Sequence, residues 1–328
     1  MRACNQEELL RTSGMRVRVP VFILAFSALI SGMITCSSQS PKPSPVPLFI
    51  FDERPFQMDC VDRPRPHQSG PYFGNSRQAP FARTHLDTLE LPLNEVPALT
   101  IATDTSNWIQ IAGADQDHWT TQFCAEGEGN TIDEANNNLQ KVSLQRIGGL
   151  LTLSNTDTHG STGGSGHLLL TAPAGAPVTV HSEGAVQVHD MAGPVRVSTP
   201  GARTTILNTT GRVDAFGFIV DYAGSQGAVA LNASEDVEIK FTATAFRGHL
   251  RTNAQRRVQA LFPPGFQSPI RIVVNSPKDF ICRADFCSKF KKDRLNSLYR
   301  FTYGNLEVAS DHISLQSAKA EVVLDTTQ

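Results

Sequence analysis

Residues 178–197 read VTVHSEGAVQVHDMAGPVRV. Three couplets, Val178/Val180, Val186/Val188 and Val195/Val197, start eight and then nine residues apart. Alternation places both valines of a couplet on one face of a strand and the residue between them on the other. Glycine, proline, serine and acidic residues fill the spaces and favour turns. The stretch therefore predicts very short strands joined by tight turns. The pattern runs on through Ile206, Val213, Val229/Leu231 and Val237/Ile239, and returns near the end as Leu306/Val308, Ile313/Leu315 and Val322/Leu324. One such strand cannot bury its apolar face alone, whereas stacked coils close a continuous core. The expected fold is all-β, a β-helix or solenoid-like stack of short strands. An antiparallel sandwich uses the same parts, but the near absence of long strand patterns favours the stack. On this phase Gln187 and Arg196 face outward.

Upstream of the ladder, Leu86, Leu89, Leu91 and Leu93 predict one strand and Leu99 with Ile101 a second. Trp108–Ile111 alternates, and Trp119–Phe123 predicts another strand. One α-helix is expected near 131–142, capped by Asn130 or Thr131, with Asp133 and Glu134 in its first turn. Val142–Arg146 and Leu150–Leu153 read as a hairpin about Gly148-Gly149, since glycine pairs supply the positive φ that such turns need. Residues 155–167 read as a loop, and 280–298 as a disulfide-pinned insertion.

The N-terminus reads as an export signal. Val21–Ile34 is uncharged and apolar, follows Arg16 and Arg18, and at 14 residues is short for a membrane span. A plain transmembrane anchor is the alternative. Met15 is a candidate start. Residues 1–36 form the expected signal peptide, 37–84 a Pro-rich tether and 85–328 the β domain. Met33-Ile34-Thr35-Cys36 resembles the lipobox of bacterial lipoproteins, which makes Cys36 the candidate lipidation site, against simple cleavage nearby. An exported protein sits in an oxidising compartment, and the four remaining cysteines then predict two disulfides. Of the three connectivities, Cys282–Cys287 and Cys60–Cys124 are favoured. No zinc site is expected, because no CxxC pair occurs and no His lies near Cys282 in sequence.

Residues 1–36 hold four Arg and two Glu, so of 29 basic and 31 acidic residues the remainder keeps 25 and 29, or −4. That balance gives no electrostatic case for nucleic acid. His181 and His189 each follow a Val-x-Val couplet and, with Glu183 and Asp190, invite a metal reading; a solvated edge is the plainer one. Asp190 beside His189 and Asp311 beside His312 invite a hydrolase reading, but neighbours on a strand point apart. Ser165 lies in a glycine loop without the second glycine of a nucleophile elbow, since His167 stands there. Lys289, Lys291, Lys292 and Arg294, interleaved with Phe286 and Phe290, form a possible surface contact for anionic lipid or polysaccharide.

Four segments carry a family resemblance: Trp108-Ile109-Gln110-Ile111-Ala112-Gly113, Asp117-His118-Trp119, the helix Asp133–Lys141, and Gly184-Ala185-Val186-Gln187-Val188. Over about residues 85–261 the chain resembles the bacterial putative-adhesin domain family, whose members form β-helix-like folds. The resemblance implies adhesion and defines no ligand or catalytic residue. The expected function is a non-catalytic, envelope-anchored interaction or adhesin-like module, exported, without cofactor or metal. Its expected partners are a protein or glycan at the cell envelope, and the membrane through the N-terminal anchor. The alternative is a polysaccharide-acting enzyme on the same scaffold, which would need paired carboxylates on one face; the ladder's acids look scattered.

Overall fold

The structure, a computed structural model, describes residues 60, 81–103, 108–155, 163–306, 311–319 and 321–327. All of them belong to one compact unit, residues 51–328. Cys36 and the apolar segment 21–34 lie outside the described residues.

The first part of the chain forms β1 (Phe81–Pro92), β2 (Leu99–Thr103), β3 (Trp108–Ala114), β4 (His118–Gly129), helix α1 (Ile132–Leu139), β5 (Val142–Ile147), β6 (Leu150–Asn155) and β7 (Gly164–Pro173). The ladder forms β8 (Val178–Ser182), β9 (Val186–His189), β10 (Val195–Leu207), β11 (Arg212–Gly224) and β12 (Gln226–Phe241). The rest forms β13 (Arg247–Ala254), β14 (Arg257–Phe262), β15 (Ile270–Val274), β16 (Phe280–Cys282), β17 (Lys291–Leu295), β18 (Leu298–Tyr303), β19 (His312–Gln316) and β20 (Glu321–Thr326).

These strands pair in parallel as a stack of coils with two faces. Face one runs β6, β2, β8, the first half of β10, β11 and β12, then β13, β19 and β15. Face two runs β7, β3, β9, the second halves of β10, β11 and β12, then β14, β20 and β16. The couplets thus alternate between faces, which is why they start eight or nine residues apart while a coil takes about twice that. Val178, Val195, Val213, Val229 and Leu250 stack in one inward column, 17, 18, 16 and 21 residues apart. Both valines of each quoted couplet are buried, as are Val229, Leu231, Val237 and Ile239. Each such side chain contributes roughly 1.5–3 kcal/mol, so the core is the sum of these columns.

Long strands are nevertheless present. β10, β11 and β12 have 13, 13 and 16 residues, because each turns the corner between faces without losing its partner. Register shifts at Thr199/Arg203 and Gly217/Ile219 absorb the bend. At another corner a glycine column lets the backbones touch. A Cβ on Gly193 would lie 2.3 Å from the Gly175 carbonyl oxygen, and one on Gly211 2.3 Å from that of Gly193. Gly248 repeats this against Gly227, at 2.4 Å. Only a residue without a side chain fits there.

Antiparallel elements close both ends of the stack, as a solenoid requires. At one end β4 pairs with β1 and β7. Helix α1 packs on β4; Thr131 caps it, its hydroxyl oxygen accepting from the Glu134 backbone N–H at 3.1 Å. The helix is shorter than expected, ending at Leu139, because Val142 is already committed to the β5–β6 hairpin. At the other end the segment 280–298 is built into the stack. β16 pairs with β20, a 3-10 turn spans Cys287–Lys289, and β17 forms a hairpin with β18. Phe241, Phe246, Phe262, Phe266 and Phe286 pack together beneath it, with Phe241 and Phe262 stacked at 4.7 Å. Cys282–Cys287 pins this end and Cys60–Cys124 the other.

Candidate functional site

The two outer faces differ. On face one the outward residues form rows at the strand spacing of about 4.8 Å. One row runs His181, Ser198, Phe216, Asn232, Asn253. Its neighbour runs Thr179, Arg196, Asp214, Ala230, Arg251. His181, Arg196, Phe216, Arg251 and Asn253 are exposed. Phe216 and Phe218 are large rings, 41% and 43% exposed among the described residues. Asp214 is paired with Arg212 at 2.9 Å, and Arg196 stands 4.0 Å away. Face one is therefore an open, regular strip of guanidinium, amide and aromatic groups.

Face two carries a different row: Gln110, Gln187, Thr205, Asp221, Glu238, Gln259. These residues point outward by register, yet all except the half-buried Thr205 are buried. Gln187 is thus outward as the alternation required, but it is no solvated position. Asp221 and Glu238 are side by side on adjacent coils. Arg203 bridges them, with its Nε 3.0 Å from Asp221 Oδ2 and an NH2 group 2.8 Å from Glu238 Oε2. Arg257 approaches Glu238 Oε1 at 3.6 Å, and Thr205 donates to Asp221 Oδ2 at 3.1 Å. Among the described residues Asp221 Oδ1 has no hydrogen-bond donor. Burial first, and then the Asp221 charge, push the Glu238 carboxyl up to about 9. Burial also raises Asp221, against the pull of Arg203. Burial beside a second carboxyl favours the protonated form of Glu238. Below them Asp236 takes Arg256 and Arg257. The acids of the ladder are not all scattered: these two meet because 17 residues, the length of one coil, separate them.

Such a pair can share a proton and neutralise an arginine. A glycoside-cleaving pair is set roughly 5–10 Å apart to admit sugar or water, whereas Asp221 and Glu238 are register partners on adjacent strands and both are buried.

The other candidates are dispersed. His181 lies on face one and His189 on face two, so the couplet-following histidines do not meet. His189 does bond Asp190, Nδ1 to Oδ2 at 2.9 Å, contrary to simple alternation. Asp190 ends the strand at φ 59°, which swings its carboxylate back. The His189 Nε2 lies 3.1 Å from the Gln110 amide. Asp311 accepts from the Gly248 N–H, and the His312 ring lies tilted against that of His249, 5.1 Å between centres. Burial and the His249 charge lower the His312 pKa. Ser165 pairs with Glu126 on β4 and His167 with Cys124 and Trp108. Lys289, Lys291, Lys292 and Arg294 lie on or beside β17. A depression of about 420 Å³ beside Pro173 and Pro177 has one titratable group, Asp115. Among the described residues no three metal-binding side chains converge.

No protein-family profile matches this chain, and no curated protein matches it in sequence. Some solved structures resemble it weakly. A putative cell adhesion protein from Clostridium sporogenes is 8% identical, with a TM-score of 0.30, over 74% of this chain and 99% of the other. A putative adhesin from Parabacteroides merdae is 7% identical, with a TM-score of 0.30, over 74% and 96%. A putative lipid binding protein from Parabacteroides distasonis is 7% identical, with a TM-score of 0.33, over 74% and 97%. At these scores the likenesses carry nothing about ligand or chemistry to this chain.

Proposed function

We propose that the protein is a non-catalytic interaction module of the cell envelope that holds an extended partner, a glycan or a protein, along face one. The observation that carries this reading is the exposed, in-register strip through His181, Phe216, Asn253, Arg196 and Arg251. Stacked coils hold such a strip rigid and repeat its spacing, which suits a partner that is itself extended. Phe216 offers a stacking surface, and the arginines and amides offer directional donors. Two disulfides agree with an oxidising, exported setting. Among the described residues no helix is long and apolar enough to cross a membrane. Anchoring through Cys36 and the Pro-rich tether is part of the same proposal.

Retention of the full-length protein on panels of glycans and matrix proteins tests it. A retained ligand should lose about tenfold in affinity, roughly 1.4 kcal/mol, in Phe216→Ala and in Arg251→Ala. Affinity equal to wild type in both variants would place the partner elsewhere.

A further inference from the structure

We infer that the β17–β18 hairpin is a second, independent contact, one that meets an anionic lipid surface end-on. β17 is the last strand of face one. Among the described residues it pairs only with β18, and all five of its residues are exposed. Residues 289–300 hold five cations (Lys289, Lys291, Lys292, Arg294, Arg300) and one acid (Asp293), a balance of +4 in a chain of net charge −2. Asp293 is taken by Arg300. Lys289, Lys291 and Lys292 have no carboxylate within ion-pair distance among the described residues, so their charge is directed at solvent.

The tip is apolar. Leu295 and Leu298 are opposed across the two-residue turn Asn296-Ser297, where Asn296 takes φ 55°. Leu295 is 53% exposed. Behind the tip lies Tyr299, with the Lys292 ammonium 5.1 Å and the Arg294 guanidinium 5.7 Å from its ring centre. A leucine tip, an aromatic collar and cations at the same level match the layers of a leaflet: acyl boundary, interface, anionic headgroups. An anionic glycan would be met by the same cations but leaves the exposed leucine unexplained. Lysines on an edge strand also discourage edge-to-edge pairing, which likewise does not call for an apolar tip. The disulfide Cys282–Cys287 and the rings of Phe280, Phe290 and Phe301 hold the base of the hairpin firm.

Co-sedimentation of the full-length protein with phosphatidylcholine vesicles, with and without phosphatidylglycerol, tests this. The N-terminal segment acts equally in every variant, so the contrast between vesicles isolates the hairpin. Lys289→Gln/Lys291→Gln/Lys292→Gln should weaken binding to the anionic vesicles by about fivefold per cation, roughly a hundredfold together. Its binding to neutral vesicles and its melting temperature should hold. Leu295→Ser, which removes no charge, should weaken anionic binding while keeping its salt dependence. Unchanged anionic binding in the triple variant overturns the inference, as does an equal loss on both vesicles. A triple variant that loses retention on polygalacturonate, or gains a dimer, while still binding anionic vesicles would assign the cations to a glycan or to guarding the strand edge.

Discussion

Glu238→Gln should stabilise the protein, and more so as the pH rises. Glu238 is buried beside Asp221, and burial and the Asp221 charge push its carboxyl up to about 9 from an ordinary 4.5. A carboxyl raised by folding contributes its full stability below its unfolded value, and that contribution is lost as the pH climbs through the folded value. The window here is pH 4.5 to 9. At pH 7 the fold must retain a proton that the unfolded chain has released. The ceiling on that penalty is roughly 3 kcal/mol, at about 1.36 kcal/mol per pH unit. Arg203 and Arg257 already act within that value; the amide holds both arginines less strongly than a carboxyl does, which takes back part of the gain and leaves about 1–2 kcal/mol for the variant at pH 7–8. The glutamine amide can donate to Asp221 Oδ1, and its carbonyl can accept from Arg203, so the network survives. At about 2 °C per kcal/mol for a chain of this size, the variant should melt about 2–4 °C above wild type at pH 8. The two should converge near pH 4.5. Thermal unfolding followed by circular dichroism across that range reads the difference directly, and titrating groups outside the Asp221–Glu238 pair cancel. A variant that melts below wild type at pH 8 would mean that Glu238 is an ionised partner of Arg203, and the raised Glu238 carboxyl would be refuted.

Three further outcomes follow from the packing. Val188→Asp places a charge inside the stack and should cost at least 3 kcal/mol, enough to remove the folded signal of several coils; Gln187→Asp should cost about 1–2 kcal/mol, because that outward position is itself buried beside other polar groups, and equal melting temperatures would refute the phase. Gly211→Ala, forced against the Gly193 and Ala192 carbonyls, should cost at least 2 kcal/mol in urea unfolding, whereas Gly175→Ala, with open space around it, should be mild. Removing the Cys60–Cys124 disulfide, which spans 64 residues, should cost about 4 kcal/mol, and removing Cys282–Cys287, which spans five, about 2 kcal/mol; calorimetry showing the reverse order would contradict the loop-closure argument.

The core was legible because one period governs it. Val-x-Val alternation marks inward faces wherever strands are short, and every couplet in residues 178–197 is buried as its phase required. Local signals also sufficed for Thr131 at the helix start and Gly148 at the hairpin turn. What escaped depends on how coils lie over one another. The adjacency of Asp221 and Glu238 is visible only once the coil is known to take about 17 residues there; the spacing of the stacked glycines Gly175, Gly193 and Gly211 carried that signal. The corner-turning of β10 to β12 was hidden because a strand that bends at a register shift breaks its own alternation. Asp190 escaped for a local reason, a left-handed backbone at a non-glycine residue. The burial of Gln187 escaped because alternation tells which way a side chain points and nothing about what lies over it.

Binding without turnover can be checked on whichever glycan the full-length protein retains. Prolonged incubation with that glycan, assayed for new reducing ends, should show none above the buffer control for wild type and for Glu238→Gln alike, while Phe216→Ala alone loses retention. New reducing ends in wild type that disappear in Glu238→Gln, with retention intact, would contradict it and make the Asp221–Glu238 pair the centre of an enzyme.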